Sequence, residues 1–536
     1  MTSYDHTLAI DIETFSDMDL GNVGVYKYTD SPAFEILLFA YAYDDDPVEI
    51  VDLTKETLPG RLLHDLTDDR ILKTAFNASF ERVCLNRYTG KQTGPWECTM
   101  VRSWELGIAG GLAVVGKRVG ITEEERKLDG SHLIRLFSKP RKPSKNNPAT
   151  RWTSETKPEE WAYFVEYCKR DVEAERAIRK KLLQLPVYEK EWALYALDQA
   201  INDRGIRVDE EFCKSAIQIS NDLTEAAQIR YKALTGIDNP NSLPALKTWL
   251  RDKTGREFGS LAKDLMPQII EENKDHPEVV EALKIRGLLG KTSLAKYYKM
   301  LETMCSDGRS RGNIQFFGAK TGRWAGRLIQ LQNLPQNHLD DLDTARETVA
   351  EGDYEWLSML YDDPTDTLKQ CIRTAIIPDE GKKFIVADFS AIEARVIAWL
   401  ANEKWRLETF EKGGDIYCAS ASQMFGVPVE KHGINGHLRQ KGKVAELALG
   451  YAGSVSAMKN MGALKMGIPE DELKPIVEKW RKASPRIVKL WHLIEDAVFA
   501  CICTHEPQRI NKYLSVLYEK GIVFIVLPSG RRMGYA

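Results

Sequence analysis

Two groups of residues in this chain have the types and the spacing of catalytic sites, and one of them lies in the last third of the sequence. The apolar run KFIVA is predicted to form a strand that ends near Asp388, and the helix after it carries Glu393. A carboxylate where a strand meets a helix, beside a second acid, suits a metal ion. Four residues then follow at intervals of four and are predicted to lie along one stripe of a helix. They are Arg439, Lys443, Leu447 and Tyr451. Two cations, an apolar side chain and an aromatic ring in that order suit a triphosphate followed by a sugar and a base.

The other group of candidate catalytic residues comes from three stretches near the N-terminus. In TLAIDIET the strand period of two puts Asp11 and Glu13 on one face. In WAYFVEYCKRDVEAERAI the helical period puts Tyr167 and Asp171 on one face, and between these stretches FNASFERVCL carries Glu81. Hydrolysis of a phosphodiester by two metal ions needs such an acid cluster, because one ion generates hydroxide and the other neutralises the leaving oxygen.

The elements that must position these residues are predicted from hydrophobic periodicity. Residues 1 to about 185 alternate strands, such as 6–12 and 34–43, with helices, which is an α/β pattern. From about residue 186 to 304 the pattern is helical and rich in charge, with Asp209 and Asn241 predicted as helix N-caps and Gly205 and Gly236 as helix ends. Periodicity alone predicts no more than a helical bundle for this middle part.

Composition limits the class of protein without revealing the function. A chain of 536 residues with 43% hydrophobic and 28% charged residues is long enough for roughly three or four folding units. The net charge of -4 excludes a uniformly basic protein surface. Any nucleic acid would therefore be bound by local basic surfaces and by metal ions that carboxylates hold. Nine cysteines without a CxxC pair indicate neither a zinc knuckle nor a disulfide framework. Without an apolar run of about 18 residues, we expect a cytoplasmic protein with no membrane contact.

The second half of the chain resembles family A DNA polymerases, with similarity to bacteriophage-encoded members. DFSAIEARV is similar to motif A of that family, and RQKGKVAELALGY is similar to its nucleotide-binding helix. GAKTGRWAGRLIQLQNLP, CIRTAIIP and GGDIYCASASQMFG resemble further segments of the family in the same order. The resemblance implies that Asp388 binds metal, that Glu393 fills the space beside the sugar C2′ and pairs with Tyr451, and that three residues contact the primer-template. These three are Arg323, Gln332 and Asn333.

The first part of the chain resembles the 3′-5′ proofreading exonucleases of the DEDD group, in its tyrosine-bearing branch. The order DxE, then NxxxE, then YxxxD carries this resemblance. It implies a catalytic set consisting of Asp11, Glu13, Glu81, Tyr167 and Asp171, in which Asp11, Glu13 and Asp171 bind metal. The implied cofactors are Mg²⁺ or Mn²⁺, two ions in each active site. The implied partners are primer-template DNA, a single-stranded 3′ end and deoxynucleoside triphosphates.

Together the two resemblances imply a fold class and three domains. The expected fold is an α/β ribonuclease H-like exonuclease domain, followed by a polymerase right hand of mixed α+β type. The expected domains are the exonuclease at 1–185, a mostly helical thumb at 186–317, and an incomplete palm with the fingers at 318–536.

Three departures from the family patterns affect these expectations. Glu81 stands where the exonuclease family usually has Asp, and Leu447 stands where the polymerase family usually has Phe or Tyr. The later His-Asp-Glu motif, whose aspartate shares the metals of motif A, has no match before the closing LPSGRRMGYA. The sequence therefore predicts a truncated or split polymerase that needs a complementing C-terminal fragment.

Two alternative functions stay open at this stage. One is a 3′-5′ exonuclease whose polymerase portion only binds DNA, and the other is a primer-template-binding half of a split polymerase.

Overall fold

The computed structural model describes residues 4–145, 148–185, 187–262, 265–289 and 294–536. The chain divides into two compact units. The first unit comprises 1–104, 109–184 and 189–383, and the second comprises 105–108, 185–188 and 384–536. This division does not test the three domain boundaries expected from the sequence, which stay predictions.

The first unit contains both sheet and helix, as the sequence predicts. Its strands are β1 (His6–Phe15), β2 (Glu35–Tyr43), β3 (Glu49–Asp52), β4 (Ile71–Ala75), β5 (Trp96–Cys98), β6 (Ile206–Val208), β7 (Arg309–Ser310), β8 (Ile314–Gln315), β9 (Ala325–Gly326) and β10 (Ile376–Ile377). Its helices are α1 (Leu20–Asp30), α2 (Gly60–Asp65), α3 (Ser79–Thr89), α4 (Thr99–Glu105), α5 (Leu112–Val119), α6 (Ser131–Phe137), α7 (Pro158–Leu182), α8 (Lys190–Arg204), α9 (Glu210–Thr235), α10 (Leu243–Thr254), α11 (Met266–Glu272), α12 (Pro277–Leu289), α13 (Ala295–Thr303), α14 (Leu342–Glu351), α15 (Tyr354–Leu360) and α16 (Pro364–Gln370). Short 3₁₀ helices lie at Leu331–Asn333 and Cys371–Ala375.

A five-stranded sheet in the order β3-β2-β1-β4-β5 forms the centre of the N-terminal part. Strand β2 is antiparallel to β1 and to β3, whereas β4 is parallel to β1 and to β5. Strand β1 lies in the middle, and most of its residues are buried because helices cover the sheet. Of the two acids that this strand carries, Glu13 is therefore buried and Asp11 is partly buried.

Helix α7 packs against this sheet through one face. Phe164, Cys168 and Val172 are fully buried in the cluster that joins the helix to β1 and β2. These residues are four apart, so they lie on the same side of the helix. Tyr167 and Asp171 lie next to them and are also buried. The helical spacing of the sequence thus places a phenol and a carboxylate against the central strand.

The helical part of the first unit follows most of its sequence signals, but the N-cap predicted at Asn241 is wrong, because Ser242 is the residue that precedes α10. The Asp209 carboxylate accepts a hydrogen bond from the Phe212 N–H at 3.0 Å, which is the predicted N-cap of α9. Gly236 ends the helix with a φ of 71°, a left-handed conformation that favours glycine. Helices α9, α13 and α14 enclose a core that includes Tyr297, whose hydroxyl donates to the Leu368 carbonyl at 2.7 Å.

The second unit is helical with one small sheet. Its helices are α17 (Ile392–Ala401), α18 (Lys404–Glu411), α19 (Ile416–Phe425), α20 (Leu438–Leu449), α21 (Val455–Asn460), α22 (Glu470–Ala483) and α23 (Pro485–Thr504). Strands β11 (Gln508–Arg509), β12 (Ser515–Glu519), β13 (Ile522–Val526) and β14 (Arg532–Tyr535) form an antiparallel meander. In the described ranges, no helix has the length and the apolar composition needed to cross a membrane.

The strand predicted at KFIVA is not formed, so this prediction is wrong. Residues 382–389 have neither helix nor strand, and the side chains of Ile385 and Val386 are 88% and 91% exposed. A strand is stable only when its backbone N–H and C=O groups pair with a neighbour. Among the described residues, none of the named strands pairs with this segment. Apolar residues that a sheet would bury are therefore left in solvent.

Candidate functional site

The five residues predicted for a nuclease centre come together in the first unit. Strand β1 carries Asp11 and Glu13, the first turn of α3 carries Glu81, and α7 carries Tyr167 and Asp171. Four of the five are buried, and Asp11 is partly buried. We call Asp11, Glu13, Glu81 and Asp171 the acid cluster.

Burial and mutual repulsion raise the pKa values of this cluster. Burial is the main cause that raises the pKa of Asp11 well above its ordinary value, and the Asp171 charge raises it further. Burial followed by the Asp11 charge raises the pKa of both Glu13 and Glu81. The carboxyl groups thus repel one another where water is scarce, and a cation is needed to keep them together in the charged form.

A lysine that the sequence analysis missed supplies such a cation. The Lys127 ammonium donates hydrogen bonds to the Asp171 carboxylate and to the Tyr167 hydroxyl. It also lies 4.4 Å from the centroid of the Tyr167 ring. Lys127 belongs to the loop between α5 and α6, which has no periodicity, so only the tertiary structure could reveal the contact.

Two further residues of this region were also missed. Glu175 follows Asp171 by four residues and is fully buried, with its carboxylate accepting a hydrogen bond from the Thr99 hydroxyl. The spacing Tyr167, Asp171, Glu175 is the signal that could have found it. Cys168 places its thiol 3.6 Å from Oδ2 of Asp11, and burial raises the pKa of this thiol well above its ordinary value.

The acid cluster fits a divalent ion by its chemistry. Glu81 Oε2 and Asp171 Oδ1 are buried without a hydrogen-bond partner, which is costly unless a cation compensates. Carboxylate oxygens are the ligands that Mg²⁺ and Mn²⁺ prefer. Among the residues that the structure describes, no three such acids are arranged as ligands around one point. The Lys127 ammonium instead provides the positive charge at Asp171.

The second unit carries the residues predicted to bind a nucleotide. Arg439, Lys443 and Leu447 lie on α20 at the predicted helical spacing. The prediction is wrong for Tyr451, because α20 ends at Leu449 and Tyr451 lies in the turn after it. Leu447 and Tyr451 are 42% and 67% exposed, so the apolar and aromatic members of the set face solvent.

The Arg439 guanidinium has a fixed position on this helix. Its Nε and Nη2 atoms each lie 2.8 Å from Oδ2 of Asp415, the residue that caps the N-terminus of α19. The guanidinium carbon lies 5.2 Å from the centroid of the Tyr417 ring. Hydrogen bonds from Arg439 and from the Tyr417 and Cys418 N–H groups hold the pKa of Asp415 below its ordinary value despite burial. A cation that is held at one end in this way is positioned in advance for an anion.

A buried ion pair fixes α20 within its unit. Both oxygens of Glu446 accept from the Arg406 guanidinium, at 2.5 and 2.8 Å, and neither side chain is exposed by more than a few percent. The Trp480 indole N–H donates to the same carboxylate at 2.8 Å, and the Ser484 hydroxyl accepts from Arg406 at 2.9 Å. Glu446 lies between Lys443 and Leu447 in sequence but points to the core, so its role is structural.

Replacement of Glu446 by alanine is expected to destabilise the second unit by about 3–5 kcal/mol, because the Arg406 charge stays buried without its partner. Urea denaturation followed by tryptophan fluorescence measures this change. Replacing both Glu446 and Arg406 by methionine should cost less than the single change. The control is Glu470→Ala, which removes the solvent-exposed pair with Lys459 and should stay within about 1 kcal/mol. Equal losses for Glu446→Ala and the control would contradict this account.

The remaining predicted residues are exposed. Asp388 lies in the unpaired segment 382–389, and Glu393 lies in the first turn of α17. In the first unit, Arg323 lies in the turn between β8 and β9, and Gln332 and Asn333 lie on the 3₁₀ helix that follows. All three expected primer-template residues are exposed.

Known DNA polymerases are similar to this chain in sequence and in fold. The family model of DNA polymerase family A matches residues 210–500. The DNA polymerase of Bacillus phage SP02 is 50% identical over 535 residues, which cover 99% of this chain and 82% of that protein. The thermostable DNA polymerase I of Thermus aquaticus is 32% identical over 124 residues, which cover 23% of this chain and 14% of that protein. The solved POL domain of Pol1 from M. smegmatis, in complex with DNA primer-template and dNTP, has a TM-score of 0.61 and 17% identity, and the match covers 99% of this chain and 78% of that chain.

The family match extends over more than half of the chain, and the phage relative matches nearly all of it. The chain therefore belongs to DNA polymerase family A, whose members are nucleotidyltransferases of DNA replication. It is of the bacteriophage type. The similarity to the mycobacterial structure supports the fold alone, since the identity is low.

Proposed function

We propose that this family A polymerase is also a 3′-5′ proofreading exonuclease, with its nuclease centre in the first unit. The observation that carries this proposal is the acid cluster, buried where β1, α3 and α7 meet. The sheet order β3-β2-β1-β4-β5, with β2 antiparallel, supports the ribonuclease H-like fold predicted from the sequence. The test is the release of mononucleotides from single-stranded DNA by the purified chain with Mg²⁺. An intact substrate after prolonged incubation would contradict the proposal.

In the nuclease reaction, Asp11, Glu13 and Asp171 would hold the divalent ions, and Glu81 would reach one through water. Such ions supply hydroxide at neutral pH and neutralise the leaving oxygen. Burial and then the Asp171 charge raise the pKa of Tyr167, so its hydroxyl keeps its proton. This neutral phenol can donate a hydrogen bond that orients the attacking water at the scissile phosphate.

In the polymerase reaction, Arg439 and Lys443 would bind the triphosphate through charge-assisted hydrogen bonds. Asp388 would hold Mg²⁺, and an ion there would supply positive charge to the triphosphate. The primer 3′-oxygen would bond to the α-phosphorus and lose its proton to water, and the bond from the α-phosphorus to pyrophosphate would break. Tyr451 would stack near the base and Glu393 would crowd the sugar C2′. Contacts to the primer-template would come from Arg323, Gln332 and Asn333.

We propose in addition that the polymerase site needs a partner strand for the segment 382–389. Asp388 is exposed in this segment, and Ile385 and Val386 are almost fully so. A carboxylate on an unpaired segment cannot hold a metal ion in the fixed position that in-line attack requires. A fragment with the His-Asp-Glu hairpin of the family would supply this partner strand.

The same observations favour a second candidate function, in which the chain acts as a nuclease and its polymerase part only binds DNA. The acids of the nuclease cluster lie together in the core, whereas Asp388 is exposed. Primer extension by the complemented chain distinguishes the two, because a remnant that only binds DNA gives no extension with any fragment.

Replacement of Glu393 by alanine is expected to raise the use of ribonucleotides relative to deoxyribonucleotides by about tenfold or more, since one crowded group in a pocket is worth about 1–3 kcal/mol. The measurement is the ratio of kcat/KM values for the two nucleotides in the complemented enzyme. Glu393→Gln keeps the bulk of the side chain and should keep the ratio. A loss of deoxyribonucleotide incorporation at an unchanged ratio would mean that Glu393 is structural.

A further inference from the structure

The most unusual contact of the nuclease centre is the one made by Lys127. Its ammonium donates to the Asp171 carboxylate and to the Tyr167 hydroxyl. The Asp171 side chain is only 6% exposed, whereas that of Lys127 is 27% exposed. The lysine therefore enters the cluster from the solvent side, while the acids approach from the core.

The loop that carries Lys127 is built against Tyr167. A Cβ atom on Gly130 would lie 2.2 Å from Cε2 of the Tyr167 ring, so only glycine permits this close approach of backbone to ring. The Leu128 side chain packs into the apolar cluster beneath α7. Earlier in the loop, the Glu124 carbonyl accepts a hydrogen bond from the Arg170 guanidinium of α7. Contacts at both ends thus hold Lys127 over the cluster.

We propose that Lys127 is an internal counter-cation that competes with divalent metal ions for Asp171. This inference rests on the proposed nuclease function. The physical reason is Coulombic: like charges at Asp11, Glu13, Glu81 and Asp171 need compensation, and one ammonium cannot coexist undisturbed with a metal ion at the same carboxylate. Lys127 stabilises the metal-free centre and raises the metal concentration needed to fill it. When metal binds, the ammonium leaves Asp171 and is available to the phosphate of an entering 3′ end.

The test is a titration of the full, DNA-free chain with Mn²⁺, in which free Mn²⁺ is followed by electron paramagnetic resonance. Lys127→Met should bind Mn²⁺ about tenfold more tightly than the unaltered chain, because a competing unit charge near the site is removed. Without metal, the same variant should melt at a lower temperature than the unaltered chain. Added Mn²⁺ should raise the melting temperature of the variant by more, since binding to the folded state stabilises it.

Four variants separate competition from a general loss of charge. Lys127→Arg keeps the charge and should bind Mn²⁺ like the unaltered chain. Lys55→Met removes an exposed lysine paired with Asp52 and should change nothing. Gly130→Ala should push the loop away from Tyr167 and strengthen Mn²⁺ binding in the same direction as Lys127→Met. In an Asp171→Asn background, Lys127→Met should have no further effect, because the contested carboxylate is gone.

Two results would overturn the proposal, and they differ in their meaning. If Asp11→Ala weakens Mn²⁺ binding but Lys127→Met does not strengthen it, the acid cluster binds metal and Lys127 does not compete with the metal ion. If Asp11→Ala leaves Mn²⁺ binding unchanged, the cluster is not a metal site, and the proposed nuclease function fails together with the competition. Tighter binding by Lys127→Met that disappears in the Asp171→Asn background supports the proposal.

Discussion

Replacement of Asp11 by alanine is expected to reduce the release of mononucleotides from a single-stranded 3′ end by at least about a hundredfold, since even the outer partners of metal ligands are worth about 10–100-fold. Asp11 lies on the central strand β1 and repels the Asp171 charge across the cluster. Its removal deletes a predicted metal ligand. Hydrolysis of a 3′-labelled oligonucleotide in Mg²⁺, followed by gel electrophoresis, measures the loss.

The same substitution should leave the fold and DNA binding intact. Burial penalises the Asp11 charge, so its removal relieves repulsion and should not lower the melting temperature. Asp5→Ala is the matched control, because Asp5 is an exposed acid directly before β1. Undiminished hydrolysis by Asp11→Ala, or an equal loss of hydrolysis in Asp5→Ala, would show that the acid cluster takes no part in the reaction.

The second large effect is expected in primer extension. Residues 1–536 alone should extend a primer at least about a hundredfold more slowly than the chain complemented with a His-Asp-Glu hairpin fragment, since a misplacement of about 1 Å at a reacting centre costs about a hundredfold. The reason is the exposed, unpaired segment 382–389 that carries Asp388. Incorporation of a labelled deoxynucleotide into a primer-template, with and without the fragment, measures the difference.

This primer-extension experiment needs one precaution and one negative control. Asp11→Ala should be present in every sample, so that nuclease activity does not hide extension products. Asp388→Asn should not be rescued by the fragment, because this variant lacks the carboxylate charge at position 388.

Hydrogen exchange of the amides in 382–389 should slow when the fragment is added, since the segment gains a strand partner. Robust extension by the chain alone would refute the need for a partner strand.

The family, and the strand or helix that carries most of the candidate residues, could be predicted from the sequence, because local periodicity and ordered motifs determine them. Asp11 with Glu13 follows from the strand period of two, and Tyr167 with Asp171 follows from the helical period. Arg439 and Lys443 lie on one helix for the same reason. These features depend on neighbours within about one turn or one strand, so a linear pattern is enough to find them.

Features that depend on distant partners could not be predicted in this way. KFIVA has the composition of a strand, but a strand forms only where another strand accepts its hydrogen bonds, and the described residues provide none. The helix predicted to include Tyr451 ends at Leu449, where a turn with Ala452 at a φ of 59° follows. Propensity is a weak signal when tertiary contacts decide where an element ends.

The sequence by itself determined the polymerase family, the strand and helix that carry the acids, and the helix that carries Arg439 and Lys443. Only the tertiary structure decided which charges meet. Lys127 reaches Asp171 across 44 positions, and Arg439 pairs with Asp415 across 24. Such pairs carry no local pattern, because burial and Coulombic attraction act through space and not along the chain. The electrostatic balance of both sites is therefore a property of the fold.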